Sequence, residues 1–278
     1  MIEGLQLFVE AATIGASVID NRNAIAKRFK RLFYRLKYGH NHIAIFGPPG
    51  AGKSTLGKFL SGNLEELTTT DVYTASVDIE PYNLSGNMVC TVTALPGQER
   101  LRDETWTRFY RNLSNGKSTG VINVVSYGYH ALDMSYKRHG LFVPNMSKED
   151  FFKAYTEDRR KEELRILKDL ASRLRDAPGV IWMISLVTKQ DLWWLERNDV
   201  EKHYVNGEYS EIIEQIRNIR GSANFKHRFL SASLRWNAMR DGEGESLAST
   251  AGGYEQNTRS ANLIRIPQYI DSLIKGRK

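Results

Sequence analysis

The sequence predicts an α/β fold, a three-layer sandwich in which helices cover both faces of a mainly parallel sheet with one antiparallel edge hairpin. From residue 42 onward, short apolar runs alternate with segments of helical periodicity. This alternation is typical of parallel strands joined by crossover helices. Two strand-like stretches, ASVDIEPYNL and NMVCTVTAL, flank Ser85-Gly86, and such a pattern indicates a hairpin.

Four apolar runs are the predicted parallel strands. They are HIAIFG (42–47), GVINVVS (120–126), GVIWMISLV (179–187) and FKHRFLSAS (225–233). The first ends at a Gly/Pro loop, after which a helix is predicted from about Lys53 to Leu60. Later helices are indicated by apolar residues that share one face. These sets are Leu164, Leu167, Ala171 and Leu174; Ile212, Ile216 and Ile219; and Ile266, Ile270, Leu273 and Ile274.

Composition excludes several functional classes. Of the 278 residues, 41% are hydrophobic and 26% are charged, which fits a soluble globular protein. The single Cys90 excludes an intramolecular disulfide, and we expect a cytoplasmic protein. No zinc-finger spacing or ribonucleoprotein motif is present, so no nucleic-acid partner is expected.

Residues 1–38 are predicted to form an amphipathic helical extension. Seven basic residues and no acidic ones lie between Arg22 and Lys37, and apolar residues are interleaved with them. Two interpretations of residues 2–37 remain open. The segment binds an anionic membrane surface at the periphery, or it packs on the rest of the chain or on a second copy. Glu3 and Glu10 count against a secretory leader and against a membrane-spanning helix.

The Gly/Pro loop carries the most specific motif of the sequence. GPPGAGKS, residues 47–54, fits the pattern G-x-x-x-x-G-K-[ST] between a strand and a helix. Such a loop directs backbone N–H groups and a helix N-terminus at phosphate oxygens. Lys53 would neutralise phosphate charge and the hydroxyl of Ser54 would bind Mg²⁺. The motif predicts a P-loop NTPase sandwich, with nucleotide-binding residues Gly47, Gly50, Ala51, Gly52, Lys53, Ser54 and Thr55.

Two further motifs follow later strands and indicate the base. TKQD ends at Asp191, whose carboxylate would accept hydrogen bonds from N1–H and the amine of guanine. Adenine lacks this donor pair and would leave the carboxylate unpaired. Lys189 would lay its stem across the ring, and the N–H of Ala232 in the SAS triplet would meet the guanine carbonyl. The predicted base-site residues are Thr188, Lys189, Asp191, Ser231, Ala232 and Ser233.

With these motifs, the sequence resembles the Ras-superfamily small GTPases, nearer to the Arf, Rag and gliding-protein type than to Ras. GPPGAGKS, LPGQE, TKQD and SAS occur in the order of that family and span about residues 42–235. The resemblance implies a GTPase domain at 39–278 that binds GTP/GDP and Mg²⁺. It also implies slow intrinsic hydrolysis and a protein effector or activating partner.

The resemblance assigns roles to residues around the two switch loops. Gln98 corresponds to the residue that orients the attacking water, and the Gly97 N–H contacts the γ-phosphate. Thr74 is the best match for the threonine that joins Ser54 on the metal, with Thr68, Thr69 and Thr70 as competitors. Two positions depart from the pattern. Pro49 removes a loop donor, and Ala94 replaces the usual magnesium-associated aspartate.

Two insertions are expected near the nucleotide, because each follows the carboxyl end of a strand. Residues 127–150 are rich in tyrosine and would form a partner surface or a lid, while the Gly/Ser-rich residues 237–257 would be mobile. Ordinary surface loops are the alternative for both. Trp193 and Trp194 are expected to be packing residues.

Three functions remain open from sequence. The first is a GTP-hydrolysing molecular switch. The second is a guanine-nucleotide-binding scaffold with little hydrolysis, with which the alanine at position 94 is compatible. The third is a P-loop ATPase or kinase, which would share the phosphate motif but would not need TKQD.

Overall fold

The computed structural model describes residues 43–61, 80–83, 91–94, 120–236 and 238–275, with the backbone alone at 80–83, 91–94, 274 and 275. The predicted helical extension at 1–38, the hairpin turn, Thr74, Gly97 and Gln98 therefore lie outside the described residues.

Within the described residues, six strands form one sheet in the order β2-β3-β1-β4-β5-β6. Strand β2 is antiparallel to β3, and every other neighbouring pair is parallel. The predicted parallel sheet with one antiparallel edge hairpin is thus confirmed. The strands are β1 (Ile43–Phe46), β2 (Glu80–Asn83), β3 (Thr91–Ala94), β4 (Gly120–Val125), β5 (Ile181–Val187) and β6 (Phe225–Ser231).

Helices cover both faces of this sheet. The described helices are α1 (Lys53–Leu60), α2 (Lys148–Asp176), α3 (Gln190–Trp193), α4 (Arg197–Val205), α5 (Glu208–Arg220) and α6 (Gln256–Lys275). Alternate residues along the strands pack into two apolar clusters, one against α2, α4 and α5 and the other against α1 and α6. The predicted three-layer α/β sandwich is thus confirmed.

Most residues of the predicted helical faces are buried as expected, but Leu164 is only partly buried and Ile219 is exposed. Leu167, Ala171 and Leu174 of α2 and Ile212 and Ile216 of α5 are buried, but Ile219 is 59% exposed. Ile219 belongs to the last turn of α5, which ends at Arg220 and extends beyond the cluster on that face. None of the described helices is both long and apolar enough to cross a lipid bilayer.

The first part of the insertion at 127–150 packs into the core, whereas all residues from 137 to 150 are partly or fully exposed. Its aromatic residues turn inward, and Tyr127, Tyr129 and Tyr136 are each less than 10% exposed. They join the apolar cluster that α2 covers, and the last three residues of the insertion form the first turn of that helix. The tyrosine-rich composition therefore reflects packing of the insertion into the core.

The insertion at 237–257 has regular structure where the sequence predicted a mobile segment. Two short antiparallel strands, β7 (Met239–Arg240) and β8 (Ser246–Ala248), pair within it. Both oxygens of Asp241 accept hydrogen bonds from backbone N–H groups, including that of Tyr136 at 3.0 Å. The segment is thereby attached to the first insertion.

Candidate functional site: a phosphate loop and a base-recognition edge

The loop between β1 and α1 has the backbone of a phosphate-binding loop. Gly47, Gly50 and Gly52 all have positive φ angles, of 139°, 72° and 104°. Glycine is required at two of them for space as well. A Cβ at Gly47 would lie 2.1 Å from the carbonyl oxygen of Val124, and one at Gly50 would lie 2.6 Å from the N of Ala131.

The charged group of the loop, the ammonium of Lys53, is buried against the loop backbone. The Lys53 ammonium donates to the carbonyl of Pro48 at 2.8 Å, and the side chain is only 7% exposed. Ser54 and Thr55, in the first turn of α1, are partly exposed, and Ala51 is fully buried. An ammonium beside the N-terminal N–H groups of a helix creates a site for an anion.

The TKQD motif lies at the carboxyl end of β5, directly beside this loop. The hydroxyl of Thr188 donates to the carbonyl of Ala51 at 2.6 Å and lies 3.1 Å from the carbonyl of Val125. The two predicted motifs, far apart in sequence, are therefore joined by a direct hydrogen bond. Trp193 is fully buried, and its Nε1 donates to the Thr188 carbonyl at 2.7 Å, which confirms its packing role.

Lys189 has a left-handed backbone, with φ of 56°. Its ammonium donates to the carbonyl of Tyr129, and the residue is partly exposed. Burial of the ammonium lowers the pKa of Lys189 to about 8, against the opposing attraction of the Asp191 and Glu163 carboxylates. The far end of this side chain is thus fixed by a backbone carbonyl.

Asp191 is only 1% exposed. One of its oxygens, Oδ1, accepts a hydrogen bond from the hydroxyl of Ser233, and the other, Oδ2, lies 3.5 Å from the hydroxyl of Thr250. Burial raises the pKa of Asp191, and the bond from Ser233 opposes that rise. The carboxylate is positioned by the chain that follows β6 and by the second insertion.

The SAS triplet does not act as the sequence predicted at every position. The N–H of Ala232 donates to the carbonyl of Val187 at 3.1 Å, so it extends the sheet and is not available to a base. Ser231 accepts a hydrogen bond from the side chain of Gln190 at 3.0 Å. Of the three residues, only Ser233 contacts Asp191. The sequence match was wrong about the role of Ala232 because β6 pairing continues to that residue.

The second insertion is attached to the base-recognition motif. The N–H of Ala251 donates to the Asp191 carbonyl at 2.8 Å, and the Tyr254 hydroxyl donates to the Gln190 side chain at 3.2 Å. The rings of Tyr254 and Trp194 meet edge to face, 5.4 Å apart. This insertion therefore lies at the predicted base site, where the sequence placed it only approximately.

The described side chains offer few metal ligands. Among them, no three His, Cys, Asp or Glu residues cluster as a metal site would require. Strand β3 ends at Ala94, whose backbone is in register with Ile45 of β1, next to the phosphate loop. The position that carries an aspartate in the family that the sequence resembles thus lies on the strand next to β1, which leads into the phosphate loop.

Sequence reasoning missed several residues that hold this site together. Tyr129 and Ala131 contact the two motifs through their backbones, which no side-chain pattern shows. Glu163 of α2 is completely buried and binds the same loop. A signal for Glu163 was present, because it lies four residues before Leu167 and seven before Leu170, on the apolar face of the helix.

No protein-family model matches the chain, and no curated protein matches it. Three solved structures illustrate what its fold is similar to. Toc33 from Arabidopsis thaliana, in complex with GDP and Mg²⁺, is 12% identical over 92% of this chain and 94% of that one, with a TM-score of 0.45. The mammalian SRP receptor is 15% identical over 84% of this chain and 100% of that one, with a TM-score of 0.42.

The third is the small COPII coat GTPase Sar1 from Encephalitozoon cuniculi, in complex with GDP. It is 12% identical over 91% of this chain and 93% of that one, with a TM-score of 0.37. Identities this low, with TM-scores below 0.5, do not bear on which ligand this chain binds.

Proposed function

We propose that this chain is a GTP-binding and GTP-hydrolysing molecular switch, slow alone and stimulated by a partner or by self-assembly. One observation carries the proposal. A buried carboxylate, Asp191, lies at the same sheet edge as the phosphate loop, and Thr188 bonds that edge to the loop at Ala51. A phosphate site and a group that reads a purine edge are thereby held at one end of the sheet.

The phosphates would bind in the loop at 47–54. The positive-φ glycines leave backbone N–H groups free of side-chain obstruction, and Lys53 would exchange the Pro48 carbonyl for a phosphate oxygen. Because Pro49 has no N–H, the loop presents one donor fewer than an all-glycine loop would.

Guanine would be recognised by Asp191, through N1–H and the exocyclic amine. Lys189 would cover one face of the ring with its stem. The N–H of Ala232 donates to Val187 in the sheet, so the donor to the guanine carbonyl has to come from a later residue of the chain. We assign that role to the N–H of Leu234, which makes no hydrogen bond to any residue in the part of the chain that the structure describes.

Ser54 has the chemistry that a magnesium ion requires. Mg²⁺ keeps several waters and needs one or two protein ligands beside phosphate oxygens, so the hydroxyl of Ser54, together with that of Thr74, would be a sufficient donor set. When bound, the ion would neutralise charge on the phosphates. The ammonium of Lys53, which the Pro48 carbonyl holds inside the loop, would supply a further positive charge beside the phosphates.

Hydrolysis would depend on residues outside the described ranges. Gln98 would orient the attacking water, and the Gly97 N–H would contact the γ-phosphate. Thr74 would bring the first switch loop to the nucleotide. Loss of the γ-phosphate would release both loops, which is how a partner would distinguish the two states.

Binding measured on the full-length chain, stripped of nucleotide, tests the proposal. We expect GDP and GTP to bind more tightly than ADP and ATP by roughly a hundredfold or more, and Asp191→Asn to remove most of that preference. ATP displacing GDP with equal ease would favour the ATPase alternative and overturn the base assignment.

Single-turnover hydrolysis separates the switch from the scaffold. The alanine at position 94 is compatible with the scaffold. We expect magnesium-dependent phosphate release from GTP, reduced roughly tenfold or more by Gln98→Leu. Tight GDP binding without phosphate release would leave the scaffold as the function.

A further inference from the structure

The loop that follows β4, residues 126–131, contacts both halves of the candidate site. The N–H of Ala131 donates to the carbonyl of Gly50 at 3.2 Å, inside the phosphate loop. The contact is close, because a Cβ at Gly50 would lie 2.6 Å from that same nitrogen. Two residues earlier, the carbonyl of Tyr129 accepts the ammonium of Lys189. A shift of this loop would therefore move the phosphate loop and the base motif together.

One buried carboxylate holds the loop. Glu163, on α2, is fully buried, and its Oε1 accepts the N–H of Ser126 at 2.8 Å and that of Gly128 at 3.2 Å. The same oxygen lies 2.8 Å from Nε2 of His130, which we assign as the donor. Three positions of a six-residue loop thus converge on a single oxygen atom.

The second oxygen of Glu163 extends the network to α4. The hydroxyl of Tyr204 donates to Oε2 at 2.5 Å and accepts the N–H of Tyr127 at 2.8 Å. Tyr204 is itself fully buried. Every residue from 126 to 128, and also His130, is therefore bound directly to Glu163 or through Tyr204.

The charge states favour this arrangement. Burial would raise the pKa of Glu163, but the hydrogen bonds from His130, Tyr204 and Ser126 hold it below its ordinary value. Burial lowers the pKa of His130, despite the neighbouring carboxylates. Glu163 is thus an anionic acceptor and His130 a neutral donor. Apart from Nδ1 of His130 and the hydroxyl of Ser126, which are buried without a hydrogen-bond partner among the described residues, the groups of this network are paired. Losing one member leaves its partners unpaired.

We propose that Glu163 is a positioning residue for the nucleotide, acting through residues 126–131 on Gly50 of the phosphate loop and on Lys189 of the base motif. The proposal rests on the nucleotide-binding function proposed above and adds a residue to it. Neither Glu163 nor Tyr204 touches the site directly. A role confined to core stability would change the unfolding temperature and leave affinity alone.

The chain supplies a matched control for this distinction. Tyr209 is a second fully buried tyrosine, and its hydroxyl accepts from Asn123 at 2.8 Å and lies 2.9 Å from the hydroxyl of Ser185. Its network is built on β4 and β5 and does not include residues 126–131. Tyr204→Phe and Tyr209→Phe therefore each remove one buried, hydrogen-bonded hydroxyl, and only the first removes a bond to the loop.

The experiment compares Glu163→Gln, Tyr204→Phe and Tyr209→Phe in the full-length chain. Unfolding temperature and the dissociation constant for GDP are measured for each, the latter well below the unfolding transition. Affinity of a protein that is almost wholly folded does not depend on its global stability. We expect all three unfolding temperatures to fall, but GDP affinity to fall about tenfold only in Glu163→Gln and Tyr204→Phe.

Tyr204→Phe keeps the test decisive if Glu163→Gln does not fold. The positioning role would be overturned if Glu163→Gln and Tyr204→Phe, where they fold, bind GDP within about twofold of wild type, as Tyr209→Phe does. That result would leave the proposed function intact. If the wild-type chain prefers ADP, the base assignment fails, and the same comparison with ADP still tests the positioning role. Failure of the wild-type chain to bind any nucleotide would overturn both.

Discussion

The hydroxyl of Thr188 donates to the carbonyl of Ala51 at 2.6 Å, and these two residues belong to motifs 137 positions apart. The same hydroxyl lies 3.1 Å from the carbonyl of Val125 at the end of β4. A single side chain therefore connects the strand that carries the base motif, the neighbouring strand and the phosphate loop. The separation of base and phosphate sites is fixed by this contact.

Thr188→Val should weaken nucleotide binding as well as the fold. Valine has the same shape but cannot donate, so the Ala51 carbonyl loses its partner and the free energy of unfolding should fall by about 1 kcal/mol. GDP affinity should fall roughly fivefold as the loop loosens. Titration calorimetry and denaturant unfolding measure the two effects.

Thr156→Val is the control for this substitution. Thr156 is also buried, but its hydroxyl donates to Lys153 within α2 at 3.0 Å. Thr156→Val should lower the free energy of unfolding about as much as Thr188→Val does, but leave the affinity for GDP unchanged. Equal affinity in both variants would show that the Thr188 bond does not position the loop.

Gly50→Ala should abolish phosphate binding, whereas Gly179→Ala should not. The two glycines have nearly the same φ, 72° and 73°, so both substitutions carry the strain of a left-handed alanine, roughly 1 kcal/mol. A Cβ at Gly179 meets nothing within 4 Å, while one at Gly50 would lie 2.6 and 2.7 Å from backbone atoms of Ala131. The difference between the variants isolates the clash.

Binding of GDP, followed by equilibrium dialysis, and thermal unfolding compare the two glycine variants. We expect GDP binding to be lost in Gly50→Ala and retained in Gly179→Ala, with a lower unfolding temperature in both. Normal GDP binding by Gly50→Ala would mean that Ala131 does not restrict the phosphate loop.

The phosphate loop and α1 were predictable from sequence, because their chemistry depends on residue type at fixed spacing. Only glycine fits where a Cβ would meet Val124, and the helix begins at Lys53 as the motif requires. Apolar periodicity was sufficient for β4, β5 and the buried face of α2, since burial on a sheet face selects apolar residues at regular intervals.

The base edge was predicted only in part, because a three-residue match cannot show where a strand stops pairing. The N–H of Ala232 pairs with Val187 in the sheet and not with a base, and Ser233 is the residue of the triplet whose side chain bonds Asp191. The insertions were misjudged for another reason. Tyrosine, glycine and serine are compatible with an exposed loop, and only tertiary packing shows that Tyr129 faces the core.

Thr250→Val should increase affinity for GDP without changing affinity for inosine diphosphate. The hydroxyl of Thr250 lies 3.5 Å from Oδ2 of Asp191, and the exocyclic amine of guanine would compete for that oxygen. Removing the hydroxyl removes the competitor, and inosine has no such amine. We expect GDP to bind about threefold more tightly.

Thr250→Ser keeps the hydroxyl and should behave as wild type. Competition binding with GDP and inosine diphosphate measures the effect of both substitutions. Weaker GDP binding by Thr250→Val would instead indicate that the hydroxyl holds the carboxylate in its binding position.

His227 should make the fold sensitive to acid. It is buried under α5 between the rings of Phe225 and Phe229, and its Nε2 lies 2.9 Å from the hydroxyl of Ser185. Burial, together with Arg217 and Arg228, lowers the pKa of His227 to about 3. Below pH ~6.5 the imidazole of His227 therefore binds a proton in the unfolded chain but stays neutral in the folded chain.

The resulting loss of stability is present between about pH 6.5 and pH 3, and it reaches about 1.4 kcal/mol per pH unit for this one group. Above pH ~6.5 both states are neutral and the contribution is constant. In His227→Gln, the dependence of the unfolding free energy on pH should be shallower by that amount between pH 6 and 4, measured by urea unfolding. Tyr209→Phe disturbs the same Ser185 network without removing the imidazole, so its unfolding free energy should depend on pH as in the wild type. If His227→Gln also keeps the wild-type dependence on pH, the histidine is protonated in the folded chain.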